Sequence, residues 1–383
     1  MTLPHIGRPQ IFAALLLLLF FFQGLWLLNN KPAAPQDYSR LDCGRSLLHI
    51  YPQGTCQSDD SPLAASAAAA PFFVMRSIGV GEAKTKTSAL SEWDLFRFAP
   101  WTTSASRLPF LFFGVWLGGG LWWVAKRLFG AAGGIVALAL YCTSPLLISA
   151  ASIISPEIIA AWGFFGAIYT AIGIGHTLLA PVREWRLRIL LLGAALGLTA
   201  AAVPVAALVA FAFCVFFVLY LAPGRRWHAL AVLIASSLFA IIIALLCAGP
   251  RWQLLIASSP RLSAAWILRF FSQAHNIPLY SLAAVALATF LGWRRARYFG
   301  NWTPLLVAAV APFVAVRWTS LEPLVWALPF LFVFTGGIFA DLFESKLRRP
   351  AVVIAVLLIA AQGWLGWNTL QRSVEVLKTV GGH

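Results

Sequence analysis

Charge is what this sequence has least of. Only 11% of its 383 residues are Asp, Glu, Lys or Arg, and just thirteen are carboxylates. A chain so poor in charge cannot solvate the surfaces of the two or three soluble domains that its length would suggest. Other absences narrow the function. No glycine-rich loop of P-loop spacing occurs, so ATP-driven transport has no support. There is no HExxH and no His/Cys cluster at structural-zinc spacing. No periodic repeat marks a solenoid, and the two halves show no inverted duplication of the kind found in many transporters.

What fills the chain instead is apolar. Sixty per cent of the residues are hydrophobic, with seventeen Trp and twenty-nine Phe, and the apolar runs are about as long as a bilayer is thick. The reading is an all-α polytopic membrane protein, a single transmembrane domain over 1–383. Eleven spans are expected, at 11–28, 108–125, 132–150, 158–180, 188–203, 205–222, 228–248, 277–293, 303–316, 322–340 and 350–367. The first is read as a retained anchor, because it exceeds a usual signal core and lacks a small-residue cleavage site before Asn29 and Asn30.

The net charge of +15 does not point to nucleic acid, because the basic residues punctuate the hydrophobic runs instead of gathering on one module. Lys126 and Arg127, Arg183 to Arg188, Arg225 and Arg226, Arg294 to Arg297, and Lys346 to Arg349 fall on alternate loops. Such a bias marks the cytoplasmic side. It places the N-terminus inside, and the long segments 29–107 and 249–276 outside with the C-terminal tail from 368.

The first long loop carries polar chemistry that a mere connector does not need. Residues 36 to 65 hold four of the thirteen carboxylates and two of the five cysteines. Cys43 and Cys56, in an oxidising compartment, are expected to form a disulfide worth about 3 kcal/mol. Cys142, Cys214 and Cys247 lie within spans, as small packing residues. Residues 61–80 are apolar, broken by Pro71, and end near Arg76. A further span there would reverse every later loop, so a helix at the membrane surface or tucked against the bundle is expected.

Several short motifs resemble the C-type membrane glycosyltransferases that use polyprenyl-phosphate sugars, a group including the protein O-mannosyltransferases and the lipid A aminoarabinose transferases. They are an acidic residue soon after the first span, Ser61-Pro62-Leu63, Ser106-Arg107-Leu108-Pro109, Lys126 to Gly130, and Ser144-Pro145. An acidic residue then opens the next span, and Arg317 with Glu322-Pro323 and Leu328-Pro329 follows more faintly. The resemblance implies a GT-C-like fold, with a long first extracytoplasmic loop bearing a surface helix. It also implies an inverting sugar transfer on the outer side of a bacterial inner membrane. Asp37 matches the family's base, twenty-four residues before Ser61; Tyr38 stands where the family has Glu, Ser61 replaces a Pro, and Glu157 replaces a usual Asp.

Such a transfer needs a carboxylate to take or orient the acceptor's proton, and cations or a divalent metal to stabilise the departing phosphate. Asp37 and Glu157 are the first candidates, with Asp42 as the alternative base. Asp59 and Asp60 read more plainly as a hydrated face. Arg251, Arg261 and Arg269 sit among aromatics on the second long outer segment and are the candidate phosphate ligands, Arg269 first, although headgroup anchoring would use the same residue types. The partners implied are a polyprenyl-phosphate sugar donor and membrane lipids. The altered motif keeps a second reading open, a non-catalytic scaffold or accessory subunit bound to other membrane proteins. A lipid-linked-sugar transporter is a third.

Overall fold

The structure, a computed structural model, describes residues 7–50, 56–57, 60–77, 100–178, 185–249, 253, 255, 299–314 and 322–381. The expected span 277–293, Arg251, Arg261, Arg269, Arg317 and Asp59 lie outside the described residues. Among those described are twelve α-helices and no strand. They are α1 (Arg8–Asn30), α2 (Pro35–Leu47), α3 (Pro62–Ser77), α4 (Pro100–Cys142), α5 (Pro145–Ala151) and α6 (Pro156–Leu178). Then come α7 (Trp185–Ala202), α8 (Pro204–Leu221), α9 (Arg226–Ala248), α10 (Phe299–Val314), α11 (Glu322–Glu344) and α12 (Arg348–Gly381).

Seven of these helices, α1, α4, α6, α8, α9, α11 and α12, are long and apolar enough to cross a membrane. Of the remaining expected spans, those at 132–150, 188–203 and 303–316 are met by shorter or folded-back helices. α4 is two helices in one: at Gly130, with φ 77° and ψ −178°, the chain doubles back, and a Cβ on Gly134 would lie 3.0 Å from that of Lys126. Only glycine takes that backbone conformation cheaply. The second arm breaks at Thr143 and Ser144 and continues as α5, because Pro145 cannot extend a helix through its own missing N–H. α7 and α10 carry shorter apolar stretches, 187–202 and 302–311.

Two boundaries move from the sequence expectation. The second span's helix starts at Pro100, at its first turn, eight residues before 108. α12 runs on to Gly381 instead of ending at 367, where a free tail was expected, because Leu370 and Val374 still find buried positions. Its 34 residues extend about 51 Å, well beyond a hydrocarbon core of about 30 Å.

Small residues set the packing. Gly163 on α6 meets Thr199 and the Ala195 carbonyl on α7, and Gly193 and Gly197 on α7 meet the Ser236 and Ala240 carbonyls on α9. Gly133 and Gly336 bring α4 and α11 into backbone contact. In lipid, where apolar side chains gain little by leaving their solvent, such close approach is a main source of helix association. Gly118 packs against Leu17 and Tyr141, but Gly119 and Gly120 face open space. α11 is the central helix, with Trp326, Phe330, Phe332 and Phe334 buried.

The contacts sort the helix ends into two groups. Ser104 donates to Asn29, Ser152 to the Gly24 carbonyl, and Ser61 to the Ala201 carbonyl, which gathers the end of α1 with α2, α3, the start of α4 and α6, and the end of α7. This acidic end holds Asp37, Asp42, Asp60 and Glu157. At the opposite, basic end, Arg188 donates to the Gly173 carbonyl, and Gly337 of α11 packs on Phe129 of α4.

Candidate active site

Among its described residues, the first long loop holds two packed helices, α2 and α3. α2 is polar, yet the sequence supplies both its ends. Pro35 occupies the first turn, and the Asp37 carboxylate reaches back to accept from the Ala34 N–H at 3.2 Å. At its other end Ile50 N–H donates to the Arg45 carbonyl and His49 N–H to the Ser46 carbonyl, with His49 at φ 54°: a Schellman closure. A disulfide joins Cys43 to Cys56, Cα atoms 4.5 Å apart, and ties α2 to the entry of α3. There Asp60 accepts from the Gln57 N–H at 2.8 Å, and the Ser61 hydroxyl accepts from the Ala64 N–H at 3.3 Å to cap α3.

α3 continues through Pro71 and is tucked against α2, α4 and α7. Ala64, Ala65, Ala68, Ala69 and Phe72 form its buried face, while Phe73 and Val74 are half exposed. The alanines let α2 come so close that a Cβ on Gly44 would sit 1.8 Å from the Ala65 carbonyl oxygen. Arg45 stacks its guanidinium 5.0 Å above the Phe72 ring and pairs with Asp42 at 3.6 Å.

Asp37 lies where these pieces converge. Its Oδ2 receives a 2.6 Å hydrogen bond from the Arg107 guanidinium, and its Oδ1 receives the Ile154 N–H at 3.4 Å. Both side chains are buried, Arg107 to 1% exposure and Asp37 to 7%. Arg107 also donates to the carbonyls of Leu28, Lys31 and Pro32 at 2.8 to 3.3 Å, satisfying groups that the end of α1 leaves without helical partners. One guanidinium therefore fastens α1, the α1–α2 link and Asp37 to α4.

Glu157 reaches the same corner through the chain. Ile154, the residue held by Asp37, also accepts through its carbonyl from Arg40 of α2, and Glu157 follows three residues on. Its carboxylate accepts from Ser155 Oγ at 2.6 Å in the first turn of α6, where the helix dipole favours a negative charge. Asp42, by contrast, is turned toward Arg45 and α3.

Three cations at this corner, Arg40, Arg107 and Lys31, carry no role in the sequence motifs. Arg107 was noted only as part of a motif, although an arginine at the mouth of an apolar span signals a buried partner. Lys31 caps α1, its ammonium 3.4 Å from Ser149 Oγ. Burial, then the neighbouring Arg107, pushes its pKa below the ordinary lysine value, and Asp37 opposes them. Folding thus disfavours the protonated lysine: stability is lowered at neutral pH, and it recovers as pH rises through the window up to the unfolded value near 10.4. Among the described residues, no three His, Cys, Asp or Glu side chains converge to hold a divalent metal.

No protein-family model matches the chain, and no curated protein matches it in sequence. Solved structures do match. ArnT from Cupriavidus metallidurans bound to undecaprenyl phosphate superposes with a TM-score of 0.61 at 13% identity, over 96% of this chain and 76% of that one. The archaeal oligosaccharyltransferase AglB from Archaeoglobus fulgidus, with an inhibitory peptide and a dolichol-phosphate, gives 0.53 at 12% identity, over 94% of this chain and 56% of that one. The same oligosaccharyltransferase with Zn and sulfate gives 0.54 at 12%, over 93% and 53%. The polytopic all-α architecture derived above is thus the GT-C fold of the membrane glycosyltransferases.

Proposed function

We propose that the chain is a membrane glycosyltransferase. It transfers a sugar from a polyprenyl-phosphate donor to an acceptor on the extracytoplasmic side, with inversion at the anomeric carbon. The observation that carries this reading is the convergence of Asp37, Lys31, Arg40 and the Glu157 turn on one corner, within a fold shared with ArnT and AglB. A scaffold accounts for the buried Arg107–Asp37 clamp, but it has no need to gather the half-buried Lys31, Arg40 and Glu157 around it, since withdrawing charges from water is costly.

In this reading Asp37 is the base, oriented by Arg107 and by the Ile154 N–H toward an acceptor hydroxyl or amine whose proton it takes as the anomeric carbon is attacked. Glu157 helps position the acceptor. Lys31 meets the departing phosphate, together with the candidate ligands Arg251, Arg261 and Arg269. A partly buried ammonium beside Arg107, with a single long hydrogen bond and with Asp37 already paired to that arginine, is stabilised when a further anion arrives beside it. The disulfide fits an oxidising compartment and so the outer side.

The test uses undecaprenyl phosphate itself. Retention of that lipid by the purified chain, read by native mass spectrometry, should fall about tenfold in Lys31→Met, the loss of about one charge-assisted bond. The same variant should unfold at higher temperature at neutral pH, having lost the buried ammonium. A wild type that retains no polyprenyl phosphate would favour the scaffold instead.

A further inference from the structure

The basic end offers a second surface, remote from the site and independent of the reading given to it. Lys126 lies 4.8 Å above the Trp122 ring and Arg127 lies 5.4 Å above the Trp123 ring, at the α4 turn around Gly130. Gly337 packs on Phe129, and α11 runs about two turns further to the α11–α12 turn at the same end, where Lys346, Arg348 and Arg349 are all exposed. Asp341 and Glu344, in the last turns of α11, are the described carboxylates at this end. At the same end, where Leu221 packs on Gly175 near the Arg188–Gly173 contact, Arg225 and Arg226 are exposed next to Trp227, itself 84% exposed.

These arginines stand where helix electrostatics least favours them. α9 opens at Arg226 with Arg225 as its N-cap, and α12 opens on Arg348 and Arg349; neither first turn holds an acid. A helix N-terminus already presents partial positive charge. Cations added there raise the local potential, which Asp341 and Glu344 offset only in part at the α11–α12 turn, and the indoles beside them have the apolar body and polar edge suited to the headgroup layer. A planar guanidinium fork matches the two free oxygens of a phosphodiester.

We propose that the basic end binds anionic phospholipid headgroups. The α4 turn and the α11–α12 turn form one seat, and Arg225, Arg226 and Trp227 form a second. The partner is the lipid diester at the bilayer surface, and the binding is retained when surrounding zwitterionic lipid is removed.

The full-length chain, reconstituted in nanodiscs with equal amounts of phosphatidylcholine and phosphatidylglycerol, tests this by native mass spectrometry of the lipids it keeps. Phosphatidylglycerol should be retained over phosphatidylcholine by about fivefold or more, the effect of about one lysine or arginine near an anionic surface. Arg225→Gln with Arg226→Gln, and Arg348→Gln with Arg349→Gln, should each reduce that preference, and both together should reduce it furthest. Equal retention of the two lipids by the wild type would overturn the proposal, as would an unchanged preference in the combined variant, leaving these arginines as topology signals alone. Should the variants fail to fold, the wild type still decides. Its preference must fall steeply as salt rises toward 1 M, where screening is within about 3 Å, and a preference indifferent to salt contradicts headgroup binding.

Discussion

Asp37 holds two positions at once, a structural one that its hydrogen bonds display and a chemical one that the proposed reaction assigns. As half of a buried ion pair, its removal leaves Arg107 charged and short of its counter-ion, which costs about 3–5 kcal/mol in comparable pairs. Three carbonyls remain to Arg107, so Asp37→Asn, which keeps the shape and an acceptor oxygen, should fall at or below the low end of that range. Arg107→Met should destabilise more, because it strands those carbonyls and the carboxylate together. Thermal unfolding in detergent orders the two variants, and an Arg107→Met chain as stable as wild type would show that the pair holds nothing. The double variant separates the roles. A residue that only clamps is dispensable once its partner is gone, whereas a base remains essential.

At the scale of elements, the sequence was most legible where lipid is the solvent, because long apolar runs separated by basic turns have few structural solutions. It was least legible at α2. Residues 35–47 carry no apolar period that announces a helix, and this one exists through Pro35, the Asp37 cap and the disulfide to Cys56. α3 was foreseen as a tucked or surface helix, but its intimacy with α2 was not, since nothing in one sequence says that Gly44 meets the Ala65 backbone. Replacing a helical glycine by alanine ordinarily gains about 1 kcal/mol. Here a Cβ would lie only 1.8 Å from the Ala65 carbonyl oxygen, backbone that cannot rotate away, so Gly44→Ala should instead destabilise by about 1–3 kcal/mol, the usual cost of overpacking. A raised unfolding temperature for Gly44→Ala would contradict the α2–α3 packing. The site was partly legible in the same way. Asp37 and Glu157 could be singled out by position, but the atoms linking them, Arg107 and the Ile154 backbone, emerge only when distant helices meet.

For the whole molecule, the partition of charge between the two ends carries the account. Carboxylates with paired or half-buried cations occupy one end, and exposed arginines and tryptophans the other, as expected if the first faces substrate outside and the second the cytoplasm. Single cysteines at position 349 or 225 should react with a membrane-impermeant maleimide only after the membrane is opened, and one at Gln57 should react from outside in intact cells. Labelling in the reverse sense would invert the topology and with it the side of the reaction.

The central claim is that the acidic end transfers sugar, and turnover of lipid-linked sugars by the purified chain in liposomes tests it most directly. A panel of undecaprenyl-phosphate sugars, each offered with lipid-borne and soluble acceptors, should include at least one donor that the wild type consumes. On that donor Asp37→Asn should be slower by about 10²-fold or more, the lower range of a general base, while still binding undecaprenyl phosphate. Undiminished transfer by Asp37→Asn would remove that residue from the chemistry, and a folded wild type that turns over no donor in the panel would contradict the account.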